Sequence, residues 1–321
     1  MSRPWIAALV GVAAAGTGIG VLVARRERLP LEELRGSLVF VSDQDGHDEL
    51  YVRYLPDGED VRLTYLTEPA VDPKLSPDGR RVAFSVGGRI GVASLVTREV
   101  GMLTLGVDWS DGQPSWRPDA SGFAVASRRG RGERAEIHLL ELGPDGGILR
   151  RRPLTRTPGI DESEPTFTPD GSSVVFVRQG GLHLLELASG LTRRLTTGLR
   201  ESYAPRFLPT GELACLWSEE KQFGLDVIDL ATGERRTLSQ GTVEYRSLAP
   251  SPDGRFLATT YSLDLSFRFR EILKPRPTRE IHLLDGAGRS LGALARAWRF
   301  SNHSPDWGGW VGVESTHYPL L

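Results

Sequence analysis

From residue 36 onward, short runs of strand-forming apolar residues alternate with clusters of Pro, Asp, Ser and Gly, and no segment carries a convincing helical period. The most regular unit is L-S-P-D-G-R-R-V-A-F, Leu75 to Phe84, a turn followed by an apolar run. It returns as W-R-P-D-A-S-G-F-A-V from Trp116, F-T-P-D-G-S-S-V-V-F from Phe167 and F-L-P-T-G-E-L-A-C-L from Phe207. A-P-S-P-D-G-R-F-L-A follows from Ala249, and a degenerate H-S-P-D-W-G-G-W-V-G-V from His303. The prolines Pro77, Pro118, Pro169, Pro209, Pro252 and Pro305 stand roughly 40–50 residues apart, the period of propeller blades. Within each copy proline presets φ at the first turn position, aspartate bonds the local backbone and glycine closes the turn. The runs that follow, such as Val82-Ala83-Phe84 and Val174 to Val177, are strand formers.

A second strand of common shape comes after each unit: E-L-Y-V-R-Y-L from Glu49, R-I-G-V-A-S-L from Arg89, E-I-H-L-L-E-L from Glu136, and their counterparts from Gly181, Gly224 and Glu280. A turn and a short polar-apolar strand complete the repeat, for example V-R-L-T from Val61 and T-R-R-L-T from Thr192. With the strand that enters each S-P-D-G turn, this makes four antiparallel strands per repeat. The middle strands are apolar on successive positions, as a strand covered on both faces would be, and blades packed between two neighbours are so covered. The pattern predicts an all-β, six-bladed propeller, with seven blades as the alternative. The first repeat, from Gly36, lacks its entering strand and S-P-D-G turn; residues Arg299 to Ser304 are expected to supply the missing strand and clasp the ring. Trp310 to Glu314 reads as one strand more than six blades need.

The repeat resembles the TolB-type, WD-like propeller repeat, roughly P-x-W-S-P-D-G, an apolar strand, S-x-x-D-G and an I-Y-V strand. Ser42-Asp43-Gln44-Asp45-Gly46 followed by Glu49 to Val52 is similar to its second half, and Leu75 to Phe84, Phe167 to Phe176 and Pro250 to Ala258 to its first. Ala120, Thr210 and Trp307 depart from it and loosen single turns. The resemblance spans residues 36–314 and implies the propeller fold. For function it implies a role among envelope scaffolds, peptidase propeller domains and proteins of unassigned role.

Ahead of the repeats, Pro4 to Ala24 is an uncharged run about 31 Å long as a helix, enough to cross a bilayer. Trp5 lies at one end and Arg25, Arg26 and Arg28 at the other. A cleavable signal peptide ending at Ala13-Ala14-Ala15 competes with an uncleaved anchor; the apolar run continues past Ala15, which favours the anchor. The expected organisation is therefore a transmembrane helix over 4–24, a linker over 25–35, the propeller over 36–314 and a tail over 315–321. The basic count leans towards a cytoplasmic propeller. The family resemblance implies the opposite side, and with the anchor read from residues 4–24 the expectation is a single-pass inner-membrane protein with its propeller in the periplasm.

Composition adds exclusions. A net charge of −2 argues against general nucleic-acid binding. The lone Cys215, in the run Leu213 to Trp217, reads as a buried strand residue. Asp43-x-Asp45-Gly46-x-Asp48-Glu49 has the start of a calcium loop, but the strand at Leu50 arrives too soon. His138, His183 and His282 occupy one equivalent position in three repeats, so rotation between blades keeps them beyond zinc-ligand distance. No G-x-S-x-G elbow and no P-loop appear. No catalytic residue, metal or cofactor is assigned.

Three features are candidates for binding, and the two segments among them exceed what the repeat needs. Asp72, Asp108, Asp111, Asp161, Glu162, Glu164, Glu201 and Glu244 lie in the loops that enter the inner strands, around one mouth of the channel. They read either as solvated or turn-capping carboxylates or as an acidic rim that receives a cation or a basic peptide segment. Arg128 to Arg134 is a basic hairpin tip, and Ser262 to Arg279 is a long insertion mixing aromatic and basic residues. Long loops on rigid scaffolds concentrate binding residues, so Phe267, Arg268, Phe269, Arg270 and Arg276 are the candidate partner contacts. The expected function is a non-enzymatic, membrane-anchored propeller, monomeric in its ectodomain, that binds a protein or peptide at the bacterial envelope. The alternative is a lactonase- or hydrolase-like propeller enzyme with a metal at the channel mouth.

Overall fold

Three of the S-P-D-G copies close their hairpins by one full set of bonds. At Ser76 the carbonyl accepts from Gly79 N–H at 2.8 Å and the hydroxyl oxygen from Arg81 N–H at 3.0 Å, while Asp78 accepts from Arg80 N–H at 3.0 Å. Thr168 and Ser251 head the same arrangement with Asp170 and Asp253. The turn's last position is left-handed, at φ +67° in Gly79 and +70° in Gly171 and Gly254. Ala120 holds φ +58° there without glycine's freedom.

In this computed structural model, residues 29–130, 132–263, 278–295 and 301–309 are described. They form six four-stranded antiparallel sheets, the blades of a propeller. Blade two runs outward as Ala70–Leu75, Arg81–Val86, Arg89–Ser94 and Val100–Met102. Blades three to six begin with the inner strands Trp109–Trp116, Glu162–Phe167, Glu201–Phe207 and Tyr245–Pro250 and repeat the order. The core lies between blades. Val39 and Val41 pack with Ala70, Val82 and Phe84 of blade two, whereas Leu38 and Phe40 pack with Ala258, Ile281 and Leu283 of blade six. Alternate side chains of one strand thus serve two interfaces, which accounts for its unbroken apolar run.

Blade one joins the two ends of the chain: Asn302–Gly308 is its inner strand, followed by Gly36–Ser42, Glu49–Leu55 and Asp60–Arg62. The expected C-terminal clasp is present but lies later than Arg299 to Ser304. Ser304-Pro305-Asp306 is strand, not the turn its spelling suggests. It aligns with Asp72-Pro73-Lys74 of blade two, so Trp307 takes the place of Leu75. Ser37 to Val41 keeps the second position of its blade, paired on both sides. The indole N–H of Trp307 donates to the Arg35 carbonyl at 2.7 Å and fastens the clasp to the first strand.

The expected membrane helix at 4–24 and the extra strand at 310–314 lie outside the described residues. Among the described residues no helix is long and apolar enough to cross a membrane.

Strand pairing assigns every loop to one of two ends. Ser37 and Gly308 pair at the end that carries the S-P-D-G turns, the turn face, and Gly36 and Leu55 lie beside them. Leu263 and Thr278, which bracket the insertion, pair at the opposite end, as do Trp109 and Arg129 beside the basic hairpin. That end, the loop face, also receives the connections from each outer strand to the next inner strand.

Candidate binding site in the central channel

The inner strands are not regular. In five of the blades the residue before the strand proline is left-handed: Asp72 at φ +53°, Gln113 at +52°, Glu164 at +53°, Ala204 at +50° and Ser304 at +50°. Each sits where the pairing with the second strand slips, a β-bulge. The bulge turns the residue's N–H out of its own ladder, and for Gln113, Glu164, Ala204 and Ser304 a neighbouring blade receives it. Gln113 Oε1 accepts the N–H of Glu164 at 2.9 Å, and Glu164 Oε2 accepts that of Ala204 at 2.6 Å. Ser85 Oγ takes the N–H of Gln113, and Thr260 Oγ1 that of Ser304, both at 2.9 Å. The strain of a non-glycine residue at positive φ, about 1–2 kcal/mol, is thus spent on a chain of bonds between blades.

These residues line an enclosed space of about 80 Å³ on the axis, together with Lys74, Arg206 and Arg246. Burial and the neighbouring Arg206 lower the Lys74 amine to about 8, against the pull of Asp306, Asp72 and Glu164. Burial raises the Glu164 carboxyl, although the Ala204 N–H opposes that shift. The axis therefore carries mixed charge rather than a set of convergent carboxylates. Among the described residues no group of three or more His, Cys, Asp or Glu is placed to hold a metal.

The acidic rim read from the sequence divides into four groups. Asp108, Asp161 and Glu201 are exposed in or beside the loop-face connections, with Asp161 bound to Arg134 and to Ala135 N–H. Glu244 pairs with Arg246 at 2.9 Å. Asp72 and Glu164 lie inside the channel wall. Asp111 and Glu162 are fully buried and leave the rim altogether: Arg151 binds Asp111 through both terminal nitrogens at 2.7 and 2.8 Å, and Arg178 binds Glu162 at 2.6 Å. Their distant partners were not deducible from local alternation.

The histidines stay with their own blades. His183 stacks on Phe176, His138 and His282 pack at a tilt against Trp109 and Tyr261, and burial lowers His138 to about 4. Cys215 is wholly buried, which pushes its thiol up to about 12. Gly46 N–H donates to the Asp43 carbonyl at 3.0 Å in a turn, while Asp45 bonds Tyr51 and Arg62. The insertion contacts Phe267, Arg268, Phe269, Arg270 and Arg276 lie outside the described residues.

One feature of the loop face was missed from sequence. Tyr65 sits in the first outer-to-inner connection, Leu105 and Val107 in the second and Leu199 in the fourth, with 76%, 82%, 82% and 87% of their surface exposed, and Val243 joins them from the fifth. Apolar residues inside turn clusters, as in T-L-G-V-D and T-T-G-L-R, were the available signal. Aromatic and aliphatic side chains held out by several loops around one axis are the composition of an interface centre more than of a solvated surface.

Comparison with known proteins agrees with the repeat. Residues 87–268 match the family described as the TolB beta propeller domain. A protein TolB homolog of Chlorobium luteolum is 32% identical over 163 residues, 49% of this chain and 36% of that protein. A Tol-Pal system protein TolB of Francisella tularensis subsp. mediasiatica is 26% identical over 248 residues, 60% of this chain and 53% of the relative. The chain thus spans about a third to a half of the length of these relatives. The crystal structure of TolB from Acinetobacter baumannii superposes with a TM-score of 0.67 at 18% identity, covering 85% of this chain and 67% of that one, a likeness of fold. With four-stranded blades, S-P-D-G turns and a family match over more than half its length, this chain belongs to the TolB beta propeller domain family.

Proposed function

We propose that this chain is a non-catalytic scaffold of the bacterial cell envelope that holds a protein or peptide partner against the loop face of its propeller. The observation that carries the reading is the set Tyr65, Leu105, Val107 and Leu199, exposed on one face around the channel. Membership of the TolB propeller family and similarity to a Tol-Pal system protein support the choice of a protein partner. Burying such side chains yields about 25 cal/mol per Å² of apolar surface, and the mixed charges nearby set orientation rather than affinity.

In this reading residues 4–24 tether the propeller to the inner membrane, with the propeller in the periplasm. The tether leads from Gly36 at the turn face, whereas the insertion is bracketed at the loop face by Leu263 and Thr278. The contacts Phe267, Arg268, Phe269, Arg270 and Arg276 then extend the partner site on the side away from the tether, which favours protein over lipid. Replacing Leu105, Val107 and Leu199 together with Ser tests this by pull-down from detergent extract. Recovery of the partner is expected to fall at least tenfold while the melting curve stays that of the parent. Undiminished recovery with a parental melt contradicts the proposal.

A further inference from the structure

At the turn face the channel widens into a funnel of about 440 Å³, within the range of small-molecule sites. Its wall follows from the repeat. The residue just before each turn supplies one apolar side chain: Leu75, Trp116, Phe167, Phe207 and Pro250, with Trp307 from the clasp strand. The turn prolines form the lip. Lys74, Arg206 and Asp306 are the charged residues in the lining, and the first two also face the axial space below, which puts them at the floor.

These three groups are unequally engaged. Asp306 Oδ2 accepts the backbone N–H of Leu75 at 2.7 Å. Lys74 Nζ donates to the Pro73 carbonyl at 3.0 Å and stands 4.0 Å from Asp306. Arg206 donates through Nη1 to the Pro205 carbonyl at 2.8 Å, and its buried Nε has no hydrogen-bond partner. In the funnel's own lining two cations stand against one occupied carboxylate beneath an aromatic wall, while Asp72 and Glu164 face Lys74 from the axial space below. A guanidinium beside an ammonium suits a carboxylate, and the ring of Trp, Phe and Leu suits an apolar body.

We propose that the funnel is a binding site for a small organic carboxylate with an aromatic or branched apolar body, its carboxylate held by Lys74 and Arg206. The site lies at the opposite end of the channel from the partner face and does not depend on it. Lys74 faces Arg206, Asp306, Asp72 and Glu164, and its amine titrates at about 8. Binding therefore weakens as pH rises past that value and the ammonium charge is lost.

Phenylacetate serves as the probe, titrated calorimetrically into the full chain, with phenylacetamide as its neutral counterpart. One saturable site is expected, with the amide at least tenfold weaker and affinity lower at pH 9.5 than at pH 7. Lys74→Gln and Arg206→Gln are each expected to weaken phenylacetate at least tenfold with a parental melt. Should either variant fail to fold, the comparison of acid with amide and the pH profile of the parent decide alone. Absence of saturable phenylacetate binding, equal affinity for acid and amide, or unchanged affinity in two folded variants overturns the proposal.

Discussion

The carboxylate of Glu164 in blade four accepts the backbone N–H of Ala204 in blade five at 2.6 Å. The bond crosses between inner strands, and burial raises the pKa of the carboxyl that makes it. A carboxyl whose folded pKa lies above its unfolded value contributes stability that is fully present below the unfolded pKa and lost as pH rises through the folded one. Glu164→Gln keeps an acceptor oxygen and removes the ionisation. It is expected to match the parent near pH 3–4 and to melt above it at pH 7–8, as thermal melts across pH will show. A variant that melts below the parent at pH 8 contradicts this assignment. Glu164→Ala leaves the Ala204 N–H unpaired and is expected to cost about 1–3 kcal/mol.

Asp226 is buried at the centre of blade five, where Oδ1 accepts the Trp217 indole N–H at 2.9 Å and the Thr237 hydroxyl at 2.7 Å, and Oδ2 binds Arg235. Removing one partner of a buried, hydrogen-bonded ion pair costs about 3–5 kcal/mol. Asp226→Ala is expected to lower stability by that amount in urea unfolding, and Asp226→Asn by less. A loss under 1 kcal/mol for the alanine variant would show that Trp217 and Arg235 find other acceptors.

Ala120 occupies the turn position that glycine holds in the other four S-P-D-G turns, with φ +58°. Left-handed backbone costs an alanine about 1–2 kcal/mol, offset in part by the greater chain entropy glycine loses on folding. Ala120→Gly is therefore expected to stabilise the protein by about 0.5–1 kcal/mol, read as an upward shift of the urea midpoint. A downward shift would mean that packing of the Ala120 methyl outweighs its strain.

The blade count, the turn positions and the C-terminal source of the clasp were legible because each depends on local chemistry repeated many times. The clasp slipped because Ser304-Pro305-Asp306 spells two parts of the repeat at once. Trp307, at the position of Leu75, Trp116 and Phe167, was the residue that could have set its register. The left-handed bulges were not legible, since a residue before proline prefers extended backbone and only the neighbouring blade rewards another choice. For the same reason Asp72 and Glu164 read as rim acids and proved to be channel wall. Thr64, Thr104, Thr155 and Thr196 close the short outer strands, and each accepts a third-strand N–H, of Leu50, Ile90, Ile137 and Leu182, at 2.9 Å. Their spacing was visible in sequence; their role needed the neighbouring strand.

The two faces of the propeller carry comparable exposed leucines, Leu105 and Leu199 on the loop face and Leu149 and Leu191 beside the outer turns of the other, all at least 70% exposed. A photo-crosslinking amino acid placed singly at each of the four in cells separates the faces directly. Adducts of one common mass from positions 105 and 199, with none from 149 and 191, are the expected result for a partner held at the loop face. Adducts from 149 or 191 alone, or from all four equally, would contradict it.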